Sequence, residues 1–316
     1  MIAIDIGYSA VKAISDTGTR ITFPSVVAPS SEDLLNGVIR NVLRHRIKAN
    51  GQEYWVGEAA MQSSSAISTL SREKPAEIHD MLVATAAYLL GTEEGDNLVV
   101  GLPISYYRTQ RQELEKRLLT MNEFINVDGG PTKRISFSKV KVHPQALGAL
   151  FLQELTEGFA GVIDIGYLTT DYLLFDVQQG QPIPILEACG SIEIGVSQVY
   201  QRLATVFHAK TGVNLPIYMQ TKAINKSLRG DTLLVAGKEI DLTREIKQIC
   251  RETTRQIEES VKSYWRDKID FVHQITGIGG GMELLRSYFT LSQLNILPDP
   301  TYSNAKGFLT LAGATA

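Results

Sequence analysis

The chain has 316 residues, 44% hydrophobic and 21% charged, with a formal net charge of −3. That length suggests about two domains of a globular protein, and without a basic run no direct nucleic-acid grip is indicated. No apolar run approaches the ~20 residues of a membrane span, the N-terminus shows no signal-peptide pattern, and Cys189 and Cys250 form no metal or redox motif. The expectation is therefore a cytoplasmic protein with no membrane partner.

In chain order, residues 1–6 read as a buried strand, 10–14 as its hairpin partner, Asp16-Thr17-Gly18 as a turn and 20–23 as a third strand. Pro24 and Pro29 bracket an extended segment, Ser25-Val26-Val27-Ala28, that should leave the sheet. Residues 36–46 carry no clear pattern. Asn50-Gly51 is a turn signal joining 46–48 to 53–56 as a hairpin, and 57–60 starts a short helix. Ser63-Ser64-Ser65 and 68–72 read as an exposed loop, either mobile or a contact surface for a neighbouring subunit. The pattern then predicts a helix over 75–90, a buried strand over 98–102, a charged helix over 109–121, a turn at Asp128-Gly129-Gly130-Pro131 and a strand over 134–142. Gln145 falls in the first turn of the helix that follows, where it either orients a water, as the glutamine of small GTPases does, or is simply a polar residue at a helix start.

The second half opens with Gly161-Val162-Ile163-Asp164-Ile165, a turn at Gly166, and a strand over 172–175. A strand over 183–188 follows, then a helix over 197–210 with Ser197 or Gly195 as its N-cap, a short helix over 216–227 and a hairpin of 232–235 with 239–242. A long helix covers 243–265, and a buried strand over 270–278 runs into Gly279-Gly280-Gly281 and a helix over 282–288. Residues 304–312 form a last helix, whose small residues suit tight packing.

Two of these turns are the same. Ile4-Asp5-Ile6-Gly7-Tyr8 recurs as Ile163-Asp164-Ile165-Gly166-Tyr167 about half a chain later, and both lead into a second strand, so the chain reads as two related halves. An Asp at a strand end can hold Mg²⁺, usually through water, because Mg²⁺ gives up its hydration shell reluctantly. The Gly beside it lets the backbone approach a ligand, and the N–H groups that follow, with Ser9 or Thr169 and Thr170, can donate to phosphate oxygens. Lys12 adds a positive charge. The triple glycine at a strand-to-helix junction permits close approach by a flat ligand.

The ordered set Asp5-Ile6-Gly7, Pro144-Gln145-Ala146-Leu147-Gly148, 164–171, 279–281 and 305–307 resembles the five-part nucleotide site of the actin/Hsp70/sugar-kinase superfamily, and the match spans essentially the whole chain. Ile21-Thr22-Phe23-Pro24-Ser25, Val56-Gly57-Glu58-Ala59-Ala60 and Val100-Gly101-Leu102-Pro103 look like the plasmid-segregating bacterial actins of the ParM/StbA type and the archaeal actin-like proteins. The resemblance implies an actin-like α/β fold: two ribonuclease H-like halves around a nucleotide cleft, with 1–149 plus 305–316 as one domain and 150–304 as the other.

It also implies site roles. Asp5 and Asp164 would hold Mg²⁺, Asp164 through water. Gly7, Tyr8, Ser9 and Lys12, with Gly166, Tyr167, Leu168 and Thr169, would hold the phosphates of ATP or GTP. Gln145 would orient the attacking water, and Gly279, Gly280, Gly281 and Met282 would lie along the nucleoside. Tyr8 and Tyr167 stand where smaller residues are usual in many relatives. The function implied is a Mg²⁺-dependent ATPase or GTPase that assembles head to tail with itself into filaments, acting in plasmid segregation through a separate DNA-binding adaptor or as a cytoskeletal element. The alternatives are a non-polymerising small-molecule kinase, which needs an acid such as Asp171 as base, or a nucleotide-switched scaffold.

Overall fold

The computed structural model describes residues 1–30, 45–49, 51–63, 65–68 and 76–314. The readings made above for 36–44, Asn50, Ser64, 69–72 and Pro75 lie outside these. Two compact units are present: Met1–Gln153 with Tyr302–Ala316, and Glu154–Thr301.

The first unit runs β1 (Ile2–Ile6), β2 (Ala10–Ser15), β3 (Arg20–Pro24), β4 (Val26–Pro29), β5 (His45–Ala49), β6 (Gln52–Val56), α1 (Glu58–Met61), β7 (Ile67–Ser68), α2 (Ala76–Leu89), β8 (Gly95–Leu102), α3 (Ile104–Leu119), β9 (Glu123–Val127), β10 (Lys133–Ile135) and β11 (Phe137–Pro144). A 3₁₀ helix, Leu147–Leu152, follows, and the C-terminal helix Ser303–Ala314 returns to this unit. Its central sheet has the order β11-β8-β1-β2-β3. The first three strands form an antiparallel meander, and β8 and β11 are parallel additions. Every residue of β1 is buried. Successive side chains on a strand alternate faces, so Ile2, Ile4 and Ile6 join the core under α2, while Ala3 packs with Ala305 and Phe308 of the C-terminal helix. Asp5 shares the face of Ala3, at the end of the strand.

The bracketed segment leaves this sheet as expected: β4 enters a second sheet of order β10-β9-β5-β6-β4-β7. Three local expectations need correction. Helix α3 starts at Ile104, five positions earlier than the charge pattern indicated, because Pro103 at its N-cap presets the first turn. The strand read over 134–142 is two strands divided at Ser136, β10 pairing with β9 and β11 with β8. Gln145 is not in a helical first turn. It lies between β11 and the 3₁₀ helix, followed by Ala146 at φ 68°.

The second unit runs β12 (Gly158–Ile165), β13 (Thr170–Gln178), β14 (Gln181–Pro184), β15 (Gly190–Ile192), α4 (Ser197–Thr211), α5 (Ile217–Leu228), β16 (Leu233–Val235), β17 (Lys238–Ile240), α6 (Thr243–Trp265), β18 (Val272–Ile278), α7 (Gly280–Leu285) and β19 (Leu294–Ile296). Its sheet order, β14-β13-β12-β18-β19, repeats that of the first unit: an antiparallel meander of three, then two parallel strands. The two halves inferred from the repeated pentapeptide are therefore two copies of one topology. Helix α6 buries Ile246, Ile249, Cys250, Thr253, Thr254, Ile257, Val261 and Trp265, the three- and four-residue spacing of one helical face. The strand read over 183–188 is corrected to β14 followed by a 3₁₀ turn, Leu186–Ala188. Neither Ser197 nor Gly195 caps α4: the cap position is Val196, with no side-chain cap. Helix α7 starts within the glycines, at Gly280.

Candidate functional site

In the first unit the β1–β2 hairpin turns tightly, the Gly7 N–H donating to the Ala10 carbonyl at 3.1 Å. The register places Lys12 directly opposite Asp5. The Asp5 carboxylate, 3% exposed, lies 3.5 Å from the Lys12 ammonium and accepts a hydrogen bond from Gln145 Nε2 at 2.8 Å. A carboxylate this buried is tolerated only when paired and hydrogen-bonded, and Asp5 has both. Gly7 is glycine for a local reason: a Cβ there would stand 2.8 Å from Lys12 Nζ. Ser25 braces the turn, its hydroxyl donating to the Gly7 carbonyl at 2.8 Å and its N–H to the Ser9 carbonyl at 3.0 Å. Sequence reasoning placed Ser25 in an extended stretch and at the end of the 21–25 motif, with no role in the turn. Its position just after Pro24 was the available signal, but the contact joins residues 18 apart. Ser9 is exposed at the tip, and Gly7 and Tyr8 are half-buried.

Gln145 is held on three sides within its unit. Its N–H donates to the Leu102 carbonyl at 2.8 Å, its amide donates to Asp5, and its Cγ packs over Gly101 beside Phe308. That contact explains the glycine of Val100-Gly101-Leu102-Pro103, since a Cβ there would overlap the Phe308 ring. His143, two residues before, stacks on Phe308 at 6.3 Å between ring centroids. Burial, reinforced by Lys141 and Arg111, pushes its pKa below the usual histidine value.

The second unit repeats the turn. The Gly166 N–H donates to the Thr169 carbonyl at 2.9 Å, and the register sets Asp171 opposite Asp164. Both carboxylates are buried, at 6% and 3% exposure, and Asp171 accepts a hydrogen bond from the Ser191 hydroxyl. The start of α4 supports this turn: Ser197 N–H donates to the Tyr167 carbonyl at 2.8 Å, Val196 N–H to the Gly166 carbonyl at 3.2 Å, and Thr170 Oγ1 to the Ile194 carbonyl at 2.7 Å. Tyr167 packs on Tyr200 at 5.7 Å, so its bulk is taken up inside the unit, and burial raises its pKa. Leu168 and Thr169 are half-exposed at the turn.

The three glycines differ from one another. A Cβ on Gly279 would overlap Asp164 Oδ1, and one on Gly281 would overlap Ile165, so both close on the strand end of their own unit. Gly280 alone is exposed, with Thr301 Oγ1 the nearest atom at 3.9 Å from a Cβ built there. The Met282 side chain is fully buried in the core of this unit, so its position has only backbone to offer a ligand.

The donor set suits a hydrated Mg²⁺, which needs one or two carboxylates, waters and substrate phosphates rather than a protein cage. Among the described residues no group of three or more His, Cys, Asp or Glu side chains forms such a cage. No described helix is long and apolar enough to cross a membrane.

The doubled sheet order, with a tight turn after the first strand of each copy, is the actin-like fold. The chain belongs to the actin-like proteins: residues 3–148 match the family model described as actin like proteins N terminal domain, and residues 162–290 match archaeal actin homologue MreB-like, C-terminal. An archaeal actin homolog of Thermoplasma volcanium is 23% identical over 98% of this chain and 97% of that protein. Among solved structures, a ParM from Clostridium botulinum, described as a whole 15-stranded filament, shares 25% identity at a TM-score of 0.88, covering 99% of this chain and 98% of that one. An archaeal actin homolog in complex with ADP shares 20% identity at a TM-score of 0.83, covering 100% and 99%.

Proposed function

We propose that this chain is a Mg²⁺-dependent nucleotidase that binds and hydrolyses ATP or GTP and assembles head to tail with itself into filaments governed by the bound nucleotide. The observation that carries the reading is the repeated turn, with a buried aspartate at its strand end in both units and Gln145 hydrogen-bonded to one of them. Support comes from the relatives, one described as a filament and another as an ADP complex. In this reading Gly7, Tyr8, Ser9, Lys12, Gly166, Tyr167, Leu168 and Thr169 serve the phosphates. Asp5 and Asp164 would hold Mg²⁺, Asp164 through water, while Lys12 and Gln145 already engage the Asp5 oxygens. When bound, the ion would supply charge neutralisation for the phosphates. Gly279, Gly280, Gly281 and Met282 serve the nucleoside through backbone, Gly280 being the open position.

Gln145 orients the attacking water. Its Nε2 donates to Asp5, which leaves the amide oxygen as the acceptor for a water proton. A non-closing head-to-tail contact gives a helical filament. The biological setting in this reading is DNA segregation or a cytoplasmic cytoskeletal role, with DNA reached through a separate adaptor rather than by the chain itself. The kinase alternative is less well supported: Asp171, the acid available as a base, is 3% exposed and engaged by Ser191.

The test is light scattering and sedimentation with Mg²⁺ and ATP, GTP, ADP or no nucleotide, with phosphate release followed in parallel. Scattering that rises with a triphosphate above a critical concentration and decays as phosphate appears is the expected result. Tight binding without assembly or phosphate release would overturn it.

A further inference from the structure

We infer that Asn304 is a positioning residue for Gln145, acting through the backbone of Ala146; the inference rests on the role proposed above for Gln145. A glutamine within a helix would be aimed by the turns around it. Gln145 has no such frame, because it lies between a strand end and a 3₁₀ helix. Besides its contacts with Leu102, Asp5 and Gly101, its direction depends on how the chain leaves it, and the next residue, Ala146, has φ 68° and ψ −31°. A residue with a Cβ rarely adopts positive φ, and does so only where its surroundings over-determine it.

Ala146 is fully buried, so water cannot satisfy its N–H. That N–H donates instead to Asn304 Oδ1 at 2.9 Å, and Asn304 is 6% exposed. This bond joins residues 158 apart, and it is the polar contact that selects the unusual backbone. Without it, Ala146 would be left with a buried orphan donor and a conformation that an L-residue relaxes away from. Any relaxation at Ala146 moves Gln145, because the two share a peptide. The C-terminal helix has separate anchors in this region. Gly307 sits against Gly148, where a Cβ on Gly148 would be 2.7 Å from the Gly307 Cα, and Phe308 is fully buried over Gly101. Removing the Asn304 amide therefore loosens Gln145 without undocking the helix.

The experiment uses the full chain. Asn304→Ala is expected to lower kcat for phosphate release by about 10–100-fold, with nucleotide affinity changed by less than about threefold, because the loss is of alignment rather than of contact. Adding Ala146→Gly is expected to recover about tenfold or more of that loss, since glycine takes positive φ without strain. A role confined to holding the C-terminal helix would give the same loss in both backgrounds. Asn304→Ser stays polar but is too short to reach the N–H; it carries the same expectations should the alanine variant not fold.

Unchanged kcat, a parallel fall in affinity, or no recovery with Ala146→Gly would overturn the inference. A second readout needs no activity: the ¹⁵N side-chain amide resonance of Gln145, which should shift or broaden in Asn304→Ala and return in the double variant. If the wild-type chain hydrolyses no nucleotide, the proposed function fails while this resonance still decides the positioning; an unmoved resonance overturns it.

Discussion

Asp171 holds in the second unit the register position that Lys12 holds in the first: each faces the aspartate that ends its neighbouring strand, Asp164 and Asp5. The backbone is repeated and the charge is reversed. Asp5 is neutralised within its own unit by an ammonium at 3.5 Å. Asp164 faces a second carboxylate, an arrangement that a divalent cation stabilises.

Lys12→Met tests the first half of that contrast. Breaking a buried pair by removing one partner leaves an uncompensated charge and typically costs about 3–5 kcal/mol. Lys12 retains some exposure, so the expected loss is at the low end, about 3 kcal/mol by denaturant titration. A loss below about 1 kcal/mol would mean that Gln145 alone sustains the Asp5 carboxylate.

Asp164→Ala tests the second half. Under the proposed function it removes metal positioning from a strand end, so Mg²⁺-dependent phosphate release should disappear while circular dichroism and Tm stay near those of the wild type. Turnover at the wild-type rate would refute the metal assignment for Asp164.

The three glycines should respond in opposite ways. Gly281→Ala drives a methyl into Ile165 and should destabilise the fold by about 1–3 kcal/mol or more. Gly279→Ala adds backbone strain, at φ 91°, to an overlap with Asp164. Gly280→Ala meets only Thr301 at 3.9 Å, so Tm should hold while nucleotide affinity falls. Calorimetry on the three variants, with a binding titration on the last, separates packing from ligand approach. A Gly280→Ala protein with unaltered affinity would remove Gly280 from the site.

His143 gives a pH dependence whose sign is determined. Its folded pKa lies below the unfolded 6.5, chiefly through burial. Its contribution to stability is therefore complete above pH 6.5 and is lost as pH falls through the folded value, because the unfolded state takes up the proton first. Among the described residues His143 Nε2 has no hydrogen-bond partner, so His143→Phe keeps the stack on Phe308 and forfeits no such bond. Tm measured from pH 7.5 down to 5 should fall less steeply in that variant. Identical slopes would show that other groups govern the acid limb.

The repeated Asp-Ile-Gly-Tyr made the doubled architecture and both turns legible in the sequence, since an apolar strand ending in Asp-x-Gly leaves few local options. Helix α6 was equally legible, because its burial follows a single helical period along its whole length. What failed to show depends on partners far along the chain. Strand β9 has only Ile125 and Val127 fully buried, too short an alternation to separate from a loop. The break at Ser136 is invisible locally, because β10 and β11 differ in which sheet each joins rather than in composition. In the site, Lys12, Asp5 and Gln145 could be named, but not that one carboxylate serves both of the others. The glycines at 279 and 281 were read as room for a ligand; that they also make room for Asp164 and Ile165 was not legible. Asn304 gave no signal at all, as its use depends on a backbone angle at Ala146.

One edge strand of the second unit, β14, carries Pro182 and Pro184 at alternate positions, where they pair with Val177 and Phe175. Proline has no N–H to offer, so this edge is a poor template for an incoming strand. Runaway sheet extension is the standing hazard of an exposed edge. Along β14 that route is blunted in the primary structure, before any side chain is considered.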